Sequence, residues 1–292
     1  MTARLALVLT ALIALTACKT AHQGAYEVAA QGAAIDNAAL IRAGADALWN
    51  ERGDAEKLKQ SIAAYEQLVA ADPNDADALT HVVRGYYFLA DGHLADPAEK
   101  LAAYDSSVLW GKRCLATNAE FKALLEKGDE TEGSAARVLT VREADCLYWT
   151  SAALGKWAKA QGIAVLLANK DTVKLWMERV EQLVGPEYFY GATSRYWGAY
   201  FAALPSFAGQ DLNKSLEYFD KAIAVNPGHF GNHVLKAEYW AVKTQNRAAF
   251  ESELNLVING DANALSDVIP EQIAEQAKAK ALLGQIDDLF VE

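Results

Sequence analysis

One phrase recurs along the chain and limits what it can fold into: an amphipathic helix closed by an Asp-Pro, Gly-Pro or Asn-Pro pair. It reads SIAAYEQLVAADP from Ser61 to Pro73, KLWMERVEQLVGP from Lys174 to Pro186 and SLEYFDKAIAVNP from Ser215 to Pro227. In the first copy Ile62, Tyr65, Leu68 and Val69 fall on one helix face; in the third, Leu216, Phe219, Ala222 and Ile223 do so. Proline carries no amide N–H and biases the residue before it to extended geometry, so each helix is closed at a defined point. No stretch shows the sustained period-two alternation of a half-buried strand. The fold class this predicts is all-α.

Counting back from the proline, the first and third copies place a small Ser at twelve (Ser61, Ser215), an aromatic at eight (Tyr65, Phe219) and Leu68 or Ala222 at five. This order resembles the second helix of a tetratricopeptide-type repeat, in which a large knob alternates with small residues where helices approach. The middle copy departs from it with Lys174, Glu178 and Glu181, and Pro73, Pro186 and Pro227 do not keep that repeat's period of about 34 residues, so a uniform array is excluded. Further helices are expected at Ile35–Trp49, Ala76–Leu89, Pro97–Thr117, Phe121–Lys127, Ala135–Ala160, Asp171–Val184, Tyr190–Leu204, His229–Val242, Arg247–Asn259 and Pro270–Leu283. The architecture predicted is an irregular stack of antiparallel helical hairpins, a tetratricopeptide-like α-solenoid, forming a single domain over residues 35–292. Such stacks curve and leave a concave face.

The first residues carry a different signal. Met1, Thr2, Ala3 and Arg4 precede the apolar run from Leu5 to Ala14, a charged n-region before an h-region of signal-peptide length. The run falls short of the roughly 20 apolar residues that span a bilayer. It ends in Leu15-Thr16-Ala17-Cys18, small residues ahead of a cysteine, which resembles the lipobox cut by lipoprotein signal peptidase. Residues 1–18 are thus expected to be a lipoprotein signal peptide, with lipidation of Cys18. At roughly 0.8 kcal/mol per buried CH₂, several acyl chains on that cysteine make a lasting anchor. Lys19, where an Asp would direct retention in enterobacterial sorting, points to the periplasmic leaflet of the outer membrane. Residues 19–34, rich in Ala, Gly and Gln, are expected to form a flexible tether that reaches at most about 55 Å.

A formal net charge of −11 disfavours a nucleic-acid partner, whose binding relies on Lys and Arg neutralising phosphates. It disfavours a peripheral grip on anionic headgroups as well, which leaves membrane attachment to the lipid. Beyond Cys18 the chain has Cys114 and Cys146, both on predicted helices with small or apolar neighbours; buried free thiols and an inter-helix bridge are equally compatible with that setting. His229 and His233, four apart, could share a metal, but HFGNH lacks the HExxH glutamate and suggests no third ligand, so a surface or capping pair is expected. Asp145 beside Cys146 reads as a hydrogen-bonding anchor. There is no Ser-His-Asp constellation, P-loop or GxGxxG cradle, so neither an enzyme nor a bound cofactor is expected.

Aromatic residues are the densest functional signal, with 7 Trp and 12 Tyr in 292 residues. Tyr196, Tyr200 and Leu204 recur at four-residue spacing, as do Trp149, Ala153 and Trp157, so each set lies along one helix face. Core packing between helices accounts for such stripes; so does an aromatic-lined channel for a largely apolar organic ligand. Gly155, Gly191 and Gly198 lie in or beside helices, where Gly costs up to about 1 kcal/mol relative to Ala. Close helix approach or an opening in a wall would offset that cost.

Two segments go beyond generic repeat chemistry. One is Ala144-Asp145-Cys146-Leu147-Tyr148-Trp149-Thr150-Ser151-Ala152-Ala153-Leu154-Gly155-Lys156-Trp157. The other runs Pro186-Glu187-Tyr188-Phe189-Tyr190-Gly191-Ala192, Arg195-Tyr196-Trp197-Gly198-Ala199-Tyr200, Leu204-Pro205 and Gly209-Gln210-Asp211-Leu212-Asn213-Lys214-Ser215. With Ala237-Glu238-Tyr239 and the terminal Asp287-Asp288-Leu289-Phe290, the chain resembles the T-component (TatT) family of TRAP (tripartite ATP-independent periplasmic) transporter systems. The resemblance implies an all-helical periplasmic lipoprotein that associates with an extracytoplasmic solute-binding protein, and a homotrimer with a channel through each protomer. It also gives Arg195 a role: a guanidinium among aromatics can read a solute carboxylate through a bidentate pair, although Glu187 or another acid could equally hold it.

Trp149, Trp157, Tyr190, Arg195, Tyr196 and Tyr200 are accordingly the ligand or channel candidates. The function expected is that of a lipid-anchored accessory component, docking a solute-binding protein and passing an organic ligand, carboxylate or apolar, through an aromatic-lined channel. The competing expectation is an envelope assembly scaffold whose helical repeats bind peptides or outer-membrane proteins.

Overall fold

The computed structural model describes Tyr26, residues 37–128 and residues 130–291. The predicted signal peptide, Cys18 and all of the predicted tether except Tyr26 lie outside the described residues. Tyr26 itself sits edge-on to Phe121 at 5.8 Å, with the Lys112 ammonium 5.2 Å from its ring.

The described residues form helices α1 (Ala38–Asn50), α2 (Ala55–Ala71), α3 (Ala76–Phe88), α4 (Pro97–Ala116), α5 (Ala119–Lys127), α6 (Glu132–Ala135), α7 (Ala144–Gln161), α8 (Ile163–Val184), α9 (Ala192–Ala203), α10 (Leu212–Val225), α11 (Phe230–Leu235), α12 (Arg247–Asn259), α13 (Ile269–Leu283) and α14 (Ile286–Leu289). Among them there is no strand, so the fold is all-α. The wide turns Leu89–His93 and Lys236–Ala241 continue α3 and α11 with π-helical geometry. No described helix is long and apolar enough to cross a membrane.

Local chemistry sets most of the boundaries. Asp54, Asp75, Asp96, Asn118, Asp211 and Asn246 each accept hydrogen bonds from backbone N–H groups of the following first turn, satisfying donors with no partner inside the helix. The residues before Pro73 and Pro227, Asp72 and Asn226, are extended, as the proline rule requires. One predicted helix is broken. In place of a continuous Ala135–Ala160, the chain extends at Leu139 and restarts at Thr140, where Thr140 and Glu143 cap each other reciprocally. The Arg179 guanidinium takes the Leu139 carbonyl at 2.6 and 3.1 Å, so tertiary contact supplies the hydrogen bonds that a continuing helix would have made.

Helices neighbouring in sequence pack on one another from α1 through α4, then α4 on α7, α7 on α8, α9 on α10, and α11 and α12 on α13. The repeat residues mark the close approaches. Ser61 and Ser215 are fully buried, donating to Ala45 O at 3.0 Å and Gly198 O at 2.8 Å on the facing helix, with Tyr65 and Phe219 buried beside them. At Gly198 a Cβ would stand 2.7 Å from the Phe219 ring, so this glycine marks close approach of α9 to α10. Cys114 on α4 and Cys146 on α7 are joined by a disulfide across 32 residues, which settles the choice between bridge and free thiols.

The last helices turn back onto the first. Glu271 on α13 pairs with Arg52 at 2.9 Å and Arg84 at 2.8 Å, and Lys278 pairs with Asp91 at 2.7 Å. These pairs bring the last helices against the first, beside a pocket that the helices leave unfilled.

Candidate functional site

That space is a cavity of about 150 Å³ among α3, the Leu89–His93 turn, α7, α8, α9, α11 and α13. Its volume is enough for a small aromatic molecule. Trp149 from α7 and Arg195, Tyr196 and Tyr200 from α9 all line it, so four of the six candidate residues meet at one cavity. Trp157 is buried in the core and Tyr190 stacks on the lining residue His229 at 5.2 Å between ring centroids; neither lines the cavity. Gly155 does, and a Cβ there would meet only the Tyr196 hydroxyl at 3.8 Å, which makes this glycine an opening in the wall rather than a close approach.

The aromatic wall is continuous. Trp149 touches Tyr87, Tyr148 and Phe189 at 5.2, 4.9 and 5.2 Å between ring centroids. Tyr196 accepts a 3.0 Å hydrogen bond from the Ser151 hydroxyl, and burial raises its pKa. Burial also pushes Tyr200 up to about 12, so both phenols stay neutral across the physiological range.

Charge enters from two directions. Asp91 lies between Lys156 at 3.0 Å and Lys278 at 2.7 Å and accepts from the Tyr104 hydroxyl. Burial pushes its carboxyl up, but the two ammonium groups overcome that and hold it well below the usual carboxylate range. Glu275, bonded to Lys278 at 2.5 Å, is raised by burial, and its second oxygen has no hydrogen-bond partner. Asp91, Glu271 and Glu275 are the carboxylates of the lining; Arg84, Lys156, Lys159, Lys170, Arg195 and Lys278 are its cations. In a chain of net charge −11, this interior is cation-rich.

Arg195 is the cation least compensated. It is buried, donates to Asn232 Oδ1 at 2.6 Å, and makes long contacts of 3.4 to 3.5 Å with His229 Nδ1, Tyr148 OH and Tyr190 O. Among the described residues it makes no ion pair, with Glu187 or with any other acid. A buried guanidinium without a counter-charge is costly and stands ready for an anion. His229, expected at the surface or at a cap, is buried at the start of α11; burial and the Arg195 charge lower its pKa well below 6.5, and its Nε2 has no partner. His233 is buried too, between Glu253 at 2.6 Å and Pro227 O at 2.9 Å. Asp145 accepts a hydrogen bond from the Tyr188 hydroxyl at 2.5 Å, the anchoring role its position suggests.

Arg84, Phe189, Asp91 and Lys278 escaped the sequence reading. Arg84 lies on an amphipathic helix as an ordinary polar-face residue. Asp91 and Lys278 are far apart in sequence, and only closure of the chain brings them together. A signal did exist at Phe189, which sits inside the YFYGA segment.

Fold and site together define an all-helical protein with an aromatic-walled, cation-lined internal cavity. The chain belongs to the TRAP transporter T-component family, whose model matches residues 54–290. The protein is therefore an accessory component of a TRAP-type transport system. The comparison with curated proteins gave no match.

Proposed function

We propose that this protein is anchored by lipid on Cys18 in the periplasm, at the outer membrane, where it docks an extracytoplasmic solute-binding protein and passes an organic ligand through its aromatic chamber. The observation that carries this reading is the cavity bounded by Trp149, Tyr196 and Tyr200 with Arg195 in its wall. A cavity so built in a transport-accessory family suits a small organic molecule with an apolar body and an acidic group, the body against the rings and the anion at Arg195. The 10 % aromatic content thus serves both core and ligand.

Two measurements test it. Affinity capture of the full-length protein from envelope extracts is expected to recover a TRAP solute-binding protein; recovery of outer-membrane assembly factors in its place would support the scaffold reading. Titration of the purified protein with aromatic and aliphatic carboxylates, followed by Trp fluorescence, is expected to show saturable binding that Arg195→Gln weakens at least about tenfold.

A further inference from the structure

The chain segment between α8 and α9 adopts a backbone that two of its residues should avoid. Phe189 has φ 39° and ψ 55°, Tyr190 has φ 61°, and Gly191 follows at φ 81°: three successive left-handed residues, of which only the last is a glycine. For L-residues with a Cβ this geometry is disfavoured, and it persists only where surrounding contacts impose it.

Those contacts are visible. The Tyr188 hydroxyl donates to Asp145 and the Tyr190 hydroxyl to Asp267, each at 2.5 Å and each with an exposed partner, so two latches hold the segment from its outer side. On the inner side the Phe189 ring lines the cavity. The Arg84 guanidinium lies 4.9 Å from its centroid and the His229 ring 6.0 Å away. His229 in turn touches Arg195. Phe189 thus lies beside two cations of the wall: Arg195, which makes no ion pair among the described residues, and Arg84, which shares the single carboxylate of Glu271 with Arg52 and whose Nε is buried with no hydrogen-bond partner.

We propose that Phe189 is the gate of an anion subsite formed by Arg84 and Arg195, and that release of its left-handed turn admits an organic anion, an aromatic carboxylate or sulfonate, to those guanidinium groups. The inference rests on the cavity being a ligand chamber. Closed, the ring gives Arg84 a cation–π contact beside its one counter-ion, Glu271, which it shares with Arg52. Opening relaxes two strained residues and lets an anion neutralise the positive charge that Glu271 leaves uncompensated on Arg52 and Arg84 and that no carboxylate balances on Arg195, so entry of an anion and relief of the turn favour the same state.

The test uses the purified full-length protein and 1-anilinonaphthalene-8-sulfonate, an aromatic anion that fluoresces in apolar surroundings, mixed in stopped flow. Phe189→Ala removes the gate and is expected to raise the association rate severalfold. Tyr190→Phe, which loses the Asp267 latch, is expected to raise it less. Tyr190→Gly loses the same latch but relieves the closed turn, and is expected to associate on the order of tenfold more slowly than Tyr190→Phe, the population shift corresponding to one relieved left-handed residue. Arg195→Gln is expected to abolish the fluorescence rise. Equal association rates in wild type and all three turn variants would overturn the gate and leave the chamber reading intact. Fluorescence unaffected by Arg195→Gln would overturn the anion subsite. No signal from either wild type or Phe189→Ala would overturn the chamber, and the gate with it.

Discussion

The Arg195 guanidinium donates to Asn232 Oδ1 at 2.6 Å, and the Asn232 amide nitrogen in turn donates to the carbonyls of Ala222, Asn226 and Tyr190 at 3.0, 3.1 and 3.2 Å. One fully buried amide therefore holds the cavity's least compensated cation and ties it to the end of α10 and to the gate segment. Asn232→Ala is expected to destabilise the protein by about 3 kcal/mol, since it leaves several buried groups unsatisfied. It should also weaken anion binding by loosening Arg195. Chemical denaturation and ligand titration on the same variant check both; a stability change below about 0.5 kcal/mol would remove Asn232 from this role.

The approach of α9 to α10 is set at Gly198, where a Cβ would press on the Phe219 ring and where Ser215 reaches the glycine carbonyl. Gly198→Leu is expected to cost about 3 kcal/mol through overpacking, with a clear fall in melting temperature. Because α9 also carries Tyr196 and Tyr200, ligand binding should weaken in the same variant. Gly155→Ala supplies the contrast: its Cβ would make only an ordinary contact with the Tyr196 hydroxyl at 3.8 Å, so stability should hold while the cavity shrinks.

Cys114 and Cys146 are fully buried, and their bridge ties α4 to α7, the helix that supplies Trp149 and Lys156 to the cavity. Replacing both with Ala is expected to lower stability by about 2–4 kcal/mol, in part by restoring freedom to the unfolded chain. Thermal melts in the presence and absence of reductant check this. The native protein should resist dithiothreitol until it opens, because no path leads to the buried sulfurs.

Acid sensitivity should localise at His229. Burial first and the neighbouring Arg195 charge second depress its pKa in the folded state well below the ordinary 6.5. Below pH 6.5 the unfolded chain therefore binds a proton that the folded chain refuses. Its contribution to stability is complete above that pH and is lost progressively as pH falls toward the depressed folded value. His229→Gln is expected to flatten the dependence of melting temperature on pH below about 6.5. An unchanged slope would assign the acid response to other groups.

The helix faces and the proline stops were legible along the chain because their causes are local, whereas the starts of α2 at Ala55 and α8 at Ile163 lie ahead of the stretches predicted from Ser61 and Asp171. The amphipathic stripe of Ile62, Tyr65, Leu68 and Val69, the capping Asp54 and Asp75, and the stop at Pro73 act within a few residues of one another. Arg247–Asn259 coincides with the predicted stretch residue for residue. The break ahead of Ala144 was hidden because the hydrogen bond that opens it comes from Arg179, forty positions away.

The candidate site divides along the same line. Tyr196 and Tyr200 share a face by helical spacing, and Trp149 stands out as a large aromatic in a helix of small residues; all three reach the cavity. Trp157 shares the Trp149 stripe yet turns into the core, since one stripe can serve two neighbours. Sequence alone thus determined an all-helical chain with aromatic faces and a lone guanidinium among them. Whether those faces met in a solid core or around a chamber was decided by tertiary structure: Glu271 and Lys278 fold back onto Arg84 and Asp91, 187 residues away for each pair, and the energy of such contacts depends on closure of the whole chain, which no local pattern records.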